Sequence, residues 1–321
     1  MPYPKYPLLK KSKKRGPSLK KLIPDTDITY TEDKNFKPYS EGLGMKSFLK
    51  TFPDKLSGSS FFFKKTVEKV KFSRKIGKPI IFDFNSEVLK YGLSPLIIDL
   101  MERGWISALS IDLSFAIMDF EISLSGNFID YDSASFKGDE INGIAEETGL
   151  FFNIALREFS EGNIGLGEVI GSYIESSRFE FSEKSILFSA YKLNIPVTVR
   201  SAFGTNPLFL FSGFDGKIFG KLVEKDFLLF SSVLSKLEGG GVFISFNPDM
   251  TNLKIISNAI LLNRINSDSF QKYYFSIVYN SVTEDDLNAI ELLSKRKDLD
   301  VYGFRGETGI IFPLIAALIK Q

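Results

Sequence analysis

The chain has no cysteine and no histidine. Without cysteine there is no disulfide framework, thiolate nucleophile or cysteine metal site; without histidine there is no imidazole base, catalytic triad or histidine-ligated zinc. General acid–base work therefore falls to carboxylates, lysines, tyrosines or bound water. Charge of one sign is lacking too: 40 basic against 39 acidic residues leave a formal net charge of +1. That balance gives no global pull toward nucleic acid or a membrane surface. No run approaches the roughly 18 uninterrupted apolar residues of a membrane helix, and the N-terminus shows no apolar signal-peptide core. A cytoplasmic protein is the expectation.

What is present is apolar and aromatic. Of 321 residues 44% are hydrophobic, including 32 phenylalanines, enough to bury the core of one elaborated α/β domain. Residues 1–39 read as a separate basic arm. Five prolines and Lys10-Lys-Ser-Lys-Lys-Arg15 fall within its first 24 residues, a composition that does not bury enough surface to order itself. A solvated arm and a basic contact to RNA, lipid or a neighbouring subunit are both open for it. Residues 40–321 read as a single domain.

The domain is organised around Lys78 to Glu121. Residues 78–84 form a short apolar run behind a proline. After Asn85-Ser86-Glu87 come helix-spaced Val88, Leu89, Leu96, Ile97, Leu100 and Met101. Gly104 ends that helix, residues 105–111 form a second apolar run, and a helical pattern resumes at Ser114. This is a strand–helix–strand unit, and right-handed crossover makes its strands parallel, with ligands expected beyond their C-termini. Further strands are predicted at 195–200, 242–245, 274–279 and 299–302. Helices are predicted at 61–72, 141–159, 182–193, 219–237 and 284–293. The pattern implies a Rossmann-like, mainly parallel six-stranded sheet with helices on both faces. The glycine-rich 162–168 segment lacks Gly-x-Gly-x-x-Gly spacing and follows a helix, so it reads as an inter-helix turn and not as a nucleotide loop.

Gly92-Leu-Ser-Pro-Leu-Ile-Ile-Asp-Leu-Met-Glu-Arg-Gly104, followed by Ala116-Ile-Met-Asp-Phe-Glu121, resembles the bacterial branch of the deoxyhypusine synthase family. Glu146-Glu-Thr-Gly149, Gly165-Leu-Gly-Glu168, Gly239-Gly-Gly-Val242 and Gly306-Glu-Thr-Gly309 with Phe312-Pro-Leu314 extend the likeness along the chain. The resemblance implies a homotetramer with sites at subunit interfaces, NAD as cofactor, and a polyamine or agmatine-like amine as substrate. The activity it implies is transfer of an aminobutyl-type group between amines. Carried over, the cofactor contacts fall on Ser86, Glu87, Asp119, Gly204, Thr205, Asn206, Gly240, Gly241, Asn280, Glu307 and Thr308. The amine contacts fall on Glu146, Glu147 and Ser245, and the Schiff-base lysine on Lys295, one place from the counted position.

The departures matter as much. Asn206 stands where the relatives carry aspartate, and Ile244 and Ser245 stand where they carry lysine and histidine. Leu113 and Phe115 replace glycines, putting bulk where a ribose or pyrophosphate is expected. Two readings stay open: an NAD-dependent transferase, or a non-catalytic descendant with an overgrown NAD site that binds a ligand or partner.

Overall fold

A computed structural model describes residues 59–129, 145–248, 250–266, 276–281 and 299–320. Its strands are β1 (Ile80–Phe84), β2 (Ala108–Asp112), β3 (Val197–Arg200), β4 (Val242–Phe246), β5 (Ser276–Ser281) and β6 (Asp300–Arg305). All pairs are parallel, in the order β3-β2-β1-β4-β5-β6. The six-stranded Rossmann-like sheet expected from the sequence is therefore present. The order in which successive strands are added reverses between β1 and β4, the switch point at which such sheets open a ligand crevice.

The helices are α1 (Ser59–Lys75), α2 (Glu87–Lys90), α3 (Ser94–Glu102), α4 (Leu113–Ser125), α5 (Glu146–Glu158), α6 (Leu166–Ser177), α7 (Ile186–Lys192), α8 (Gly216–Ser235), α9 (Met250–Asn266) and α10 (Thr308–Ile319). The single helix expected after β1 is broken into α2 and α3. Gly92, at φ +67°, turns the chain, and Pro95 starts the second helix, where its missing N–H costs nothing. The helix α9 has no counterpart in the sequence reading because apolar residues surround it on most sides and blur its period.

Alternation along the strands decides the two faces. Phe82, Phe84 and Phe246 meet Phe312 of α10 with ring centroids 5.0–6.1 Å apart on one face. On the other, Ile81, Phe243 and Ile277 pack under Phe230 and Leu234 of α8 and Leu253, Ile256 and Ile260 of α9. Such aromatic pairs add about 0.5–1.5 kcal/mol each beyond their buried area.

One row of the second face is polar. The register aligns Thr198, Ser110, Asp83, Ser245 and Tyr279 from β3 to β5, all buried. This row lies one residue short of the C-terminal end of β1 and β4, directly below the switch point.

Candidate functional site at the C-terminal edge of the sheet

The six strand ends lie along this edge. Asn85, Ser86 and Glu87 follow β1; Asp112 and Ser114 join β2 to α4; residues 201–206 follow β3. Asn247 follows β4, Asn280 lies near the end of β5, and Glu307 and Thr308 open α10. Asn247 is a non-glycine residue at φ +52°, a conformation asparagine tolerates better than most. It ties three elements together. Its N–H donates to the Asn280 carbonyl at 2.7 Å, its Nδ2 donates to Glu87 Oε2 at 2.7 Å, and its carbonyl accepts from Asn85 Nδ2 at 3.2 Å. Asn280 Nδ2 donates to the Gly306 carbonyl at 3.0 Å, and Thr308 Oγ1 donates to Asn280 Oδ1 at 3.4 Å.

Two carboxylates converge on Tyr91 at the end of α2. Its hydroxyl lies 3.5 Å from Glu307 Oε2. Burial, then the charges of Glu87 and Glu307, push the phenol above its ordinary range. Gly309 lets the Tyr91 ring lie against α10, since a Cβ there would come within 3.0 Å of it.

Beneath the edge sits a buried ion pair. Asp83 is 1% exposed, and Arg200, from the last position of β3, brings Nη2 to 2.9 Å from its Oδ1. The approach makes no aligned hydrogen bond, and the same nitrogen donates to the Phe84 carbonyl at 3.1 Å. Arg200 Nε donates to Ser110 Oγ at 3.1 Å. Ser245 Oγ and Asn252 Nδ2, from β4 and α9, both donate to Asp83 Oδ2. The Tyr279 hydroxyl, fully buried, has no hydrogen-bond partner, and burial followed by the Asp83 charge raises its pKa.

The expected site residues are brought together in part. Ser86, Glu87, Asn206, Asn280, Glu307 and Thr308 lie on this edge. Gly204 and Thr205 lie on the exposed loop after β3. Asn206 caps a turn of 3₁₀ helix (Pro207–Leu210) through Leu208 N at 2.9 Å and reaches Ser114 Oγ at 3.3 Å. Ser245 is in the buried row. Gly240 and Gly241 are elsewhere: they enter β4 from its N-terminal side, at the opposite edge of the sheet, where the Gly240 carbonyl accepts from Ser73 Oγ at 2.7 Å. Asp119 is buried within α4. It accepts from Ser185 Oγ (2.6 Å), Ile186 N (2.8 Å) and Leu187 N (2.9 Å), closing the N-terminus of α7. Glu146 and Glu147 open α5, half-buried, and neighbouring Thr148 donates to the buried Glu121 at 2.7 Å. Lys295 lies outside the described residues, as do the basic arm and the helix expected at 284–293.

The residues at the switch point do not fit a dinucleotide in its usual pose. That pose needs glycines and free backbone N–H groups at the turn after β1. No glycine lies between Gly77 and Gly92. Ser86 N donates to Asp112 Oδ2 (3.4 Å), Glu87 N to Asn85 Oδ1 (3.2 Å), Val88 N to Asn85 O (3.4 Å) and Leu89 N to Ser86 O (3.1 Å). The α4 N-terminus is likewise capped, Phe115 N donating to Asp112 Oδ1 at 2.6 Å. Leu113 and Phe115, expected to bring bulk to this crevice, are 3% and 0% exposed within the hydrophobic core. Asp112 takes up Ser86 N and Phe115 N, and Asn85 takes up Glu87 N and Val88 N; those two side chains do not fill the crevice. The glycine-rich turn before α6 holds another internal anion: Asp226 of α8 accepts from Gly167 N (3.2 Å) and Val199 N (2.9 Å).

No family model and no curated protein matches the chain. Solved structures do. AgrE, in its ternary complex with ornithine and NAD+, superposes with a TM-score of 0.53 at 12% identity over 83% of this chain and 34% of AgrE. A conserved candidate LOR/SDH protein from Methanococcus maripaludis S2 gives 0.51 at 13% identity, over 84% and 73%. A candidate deoxyhypusine synthase from Entamoeba histolytica gives 0.43 at 16%, over 75% and 74%, too loose to carry an argument. The chain thus spans about a third of AgrE. At these identities the likeness is one of fold, a distant relationship among Rossmann-like α/β proteins.

The sequence reading missed Asp83, Tyr91, Asn247, Asn252 and Tyr279. Asp83 alone left a signal, a carboxylate inside the otherwise apolar Ile-Ile-Phe-Asp-Phe strand. Among the described residues no group of acidic side chains is arranged to hold a metal, and no helix is long and apolar enough to cross a membrane.

Proposed function

We propose that this chain is a deoxyhypusine synthase-like protein whose dinucleotide site is overgrown and which binds a small cationic amine at the C-terminal edge of its sheet. The single observation that carries the reading is the capping of the turn after β1 and of α4 by Asp112 and Asn85, which already engages Ser86 N, Glu87 N and Phe115 N, donors a pyrophosphate would use. The same edge suits a cation. Glu87 and Glu307 flank an aromatic ring, a combination that attracts ammonium groups through charge and the ring quadrupole. AgrE, about a third of which shares this fold, forms a complex with ornithine, an amine.

Calorimetric titration with spermidine and agmatine tests the reading. Saturable binding that weakens about tenfold or more in E87Q and E307Q supports it, the loss expected when a charged partner worth about 1.5–3 kcal/mol is neutralised. Silence from the folded protein overturns it.

The second reading is NAD-dependent transfer of an aminobutyl-type group between amines. The strand order favours it, since this order binds dinucleotides in other proteins, and AgrE was crystallised with NAD+. In that reading Lys295 is the nucleophile, Glu146, Glu147 and Ser245 receive the amine, and the cofactor takes a pose that does not use the turn after β1. Assembly as a homotetramer belongs to either reading and is checked by light scattering.

A further inference from the structure

The Asp83 cluster is incompletely satisfied in a specific way. Both neutral donors, Ser245 and Asn252, go to Oδ2. Oδ1 faces the Arg200 guanidinium as a charge but accepts no aligned hydrogen bond. Two strands along the same row, the Tyr279 hydroxyl is fully buried and also without a bond. A buried carboxylate oxygen and a buried hydroxyl each lose stability when left unbonded. A purely structural ion pair gains by satisfying both carboxylate oxygens. Here a cation is seated, yet an acceptor and a hydroxyl beside it remain open.

The cation also sits at the end of its strand. Arg200 is the last residue of β3, and its pairing with Asp112 is the last rung of that ladder. Beyond it Ala202, Phe203, Gly204 and Thr205 are exposed, and Gly204 turns the chain at φ +85°. A swing of the side chain, 10% exposed, toward the edge would leave the strand pairing intact.

We propose that Asp83 anchors a guanidinium-binding subsite on the floor of the switch point, which Arg200 holds in the ligand-free protein and yields to a guanidinium-bearing small amine. This deepens the amine reading and rests on it. A planar guanidinium can serve Asp83 Oδ1 and the Phe84 carbonyl together, as Arg200 nearly does, and an ammonium, a compact point charge, cannot reproduce that fork. Because the internal arginine competes, the apparent affinity of the ligand is lowered by the fraction of time the subsite is occupied from within.

The test titrates wild type, R200M and R200K with agmatine and, as its ammonium counterpart, butane-1,4-diamine. The expected result is agmatine binding at least tenfold tighter in R200M than in wild type, with R200K between them. Butane-1,4-diamine should change less than threefold, and D83N introduced into either variant should abolish the gain. R200K retains a buried cation and so keeps the test alive if R200M does not fold. Equal agmatine affinity in wild type and both variants, or equal tightening for the two amines, overturns the subsite while leaving the amine reading standing. Absence of saturable binding by either amine to wild type and variants overturns both.

Discussion

Replacing Gly167 by alanine separates a structural glycine from a ligand-binding one. The new Cβ would lie 2.2 Å from the Val197 carbonyl oxygen and 2.8 Å from its carbon, both backbone atoms of β3. Clearing them requires about 1 Å of movement between α6 and the sheet, since real Cβ contacts begin near ordinary van der Waals separations. That movement strains the Asp226 bonds from Gly167 N and Val199 N, at 3.2 and 2.9 Å. With Asp226 ionised, above about pH 7, hydrogen bonds to it contribute roughly 1.5–3 kcal/mol each, and overpacking adds about 1–3 kcal/mol, so in that range G167A is expected to destabilise by about 4 kcal/mol or more. The natural control is Gly220 within α8, where a Cβ meets nothing within 4 Å; G220A should stabilise by about 1 kcal/mol through helix propensity. Urea unfolding followed by fluorescence of Trp105, the sole tryptophan, packed 3.8 Å beneath Arg74, reads both. A G167A loss below 1 kcal/mol would refute the view that this turn is shaped around an internal carboxylate.

Burial pushes Asp226 up to about 7 and Asp119 up to about 6, against an ordinary 3.8 and despite the hydrogen bonds that pull both back. Their native pKa values exceed the unfolded ones, so the native state binds more protons in this window. Stability is then fullest below about pH 4 for these groups and falls as pH rises to 7, by on the order of 4 kcal/mol for Asp226; urea midpoints at pH 5 and pH 8 should differ less in D226N than in wild type. Removing Arg200 alone strands the Asp83 charge and should destabilise by about 3–5 kcal/mol, whereas the double change D83L/R200M should be closer to neutral than the sum, as a double-mutant cycle in denaturant would reveal. Phe115→Gly should lose at least about 3 kcal/mol of stability without conferring NAD+ binding, because that side chain fills core and not crevice; dinucleotide binding by a folded F115G protein would contradict the assignment.

All six strands were legible because each is a short apolar run bounded by proline, glycine or polar residues, the pattern of strands buried on both faces. Sheet order was not legible, since nothing local records which parallel neighbours meet. Ser86 and Glu87 were legible because parallel topology sends strand ends to one edge, whereas Asn280 and Glu307 were carried over from the resemblance. Gly240 and Gly241 were drawn to that edge by resemblance, yet they precede β4 and therefore lie on the opposite one. Asp119 was expected as a cofactor contact through the resemblance, and Asp226 drew no expectation; both cap neighbouring helices, α7 and α6, a partnership set by tertiary packing alone. The polar row across the sheet was hidden for the same reason. Ser110, Asp83, Ser245 and Tyr279 are scattered between positions 83 and 279, and only the register aligns them.

The most direct test of the account is calorimetric titration of the full chain with NAD+, alone and with agmatine present. Donors at the switch point that are already bonded to Asp112 and Asn85 predict no saturable heat from NAD+ up to low-millimolar concentration, while agmatine still binds. Saturable NAD+ binding in the micromolar range would contradict the overgrown-site reading and return the protein to the dinucleotide-dependent transferases.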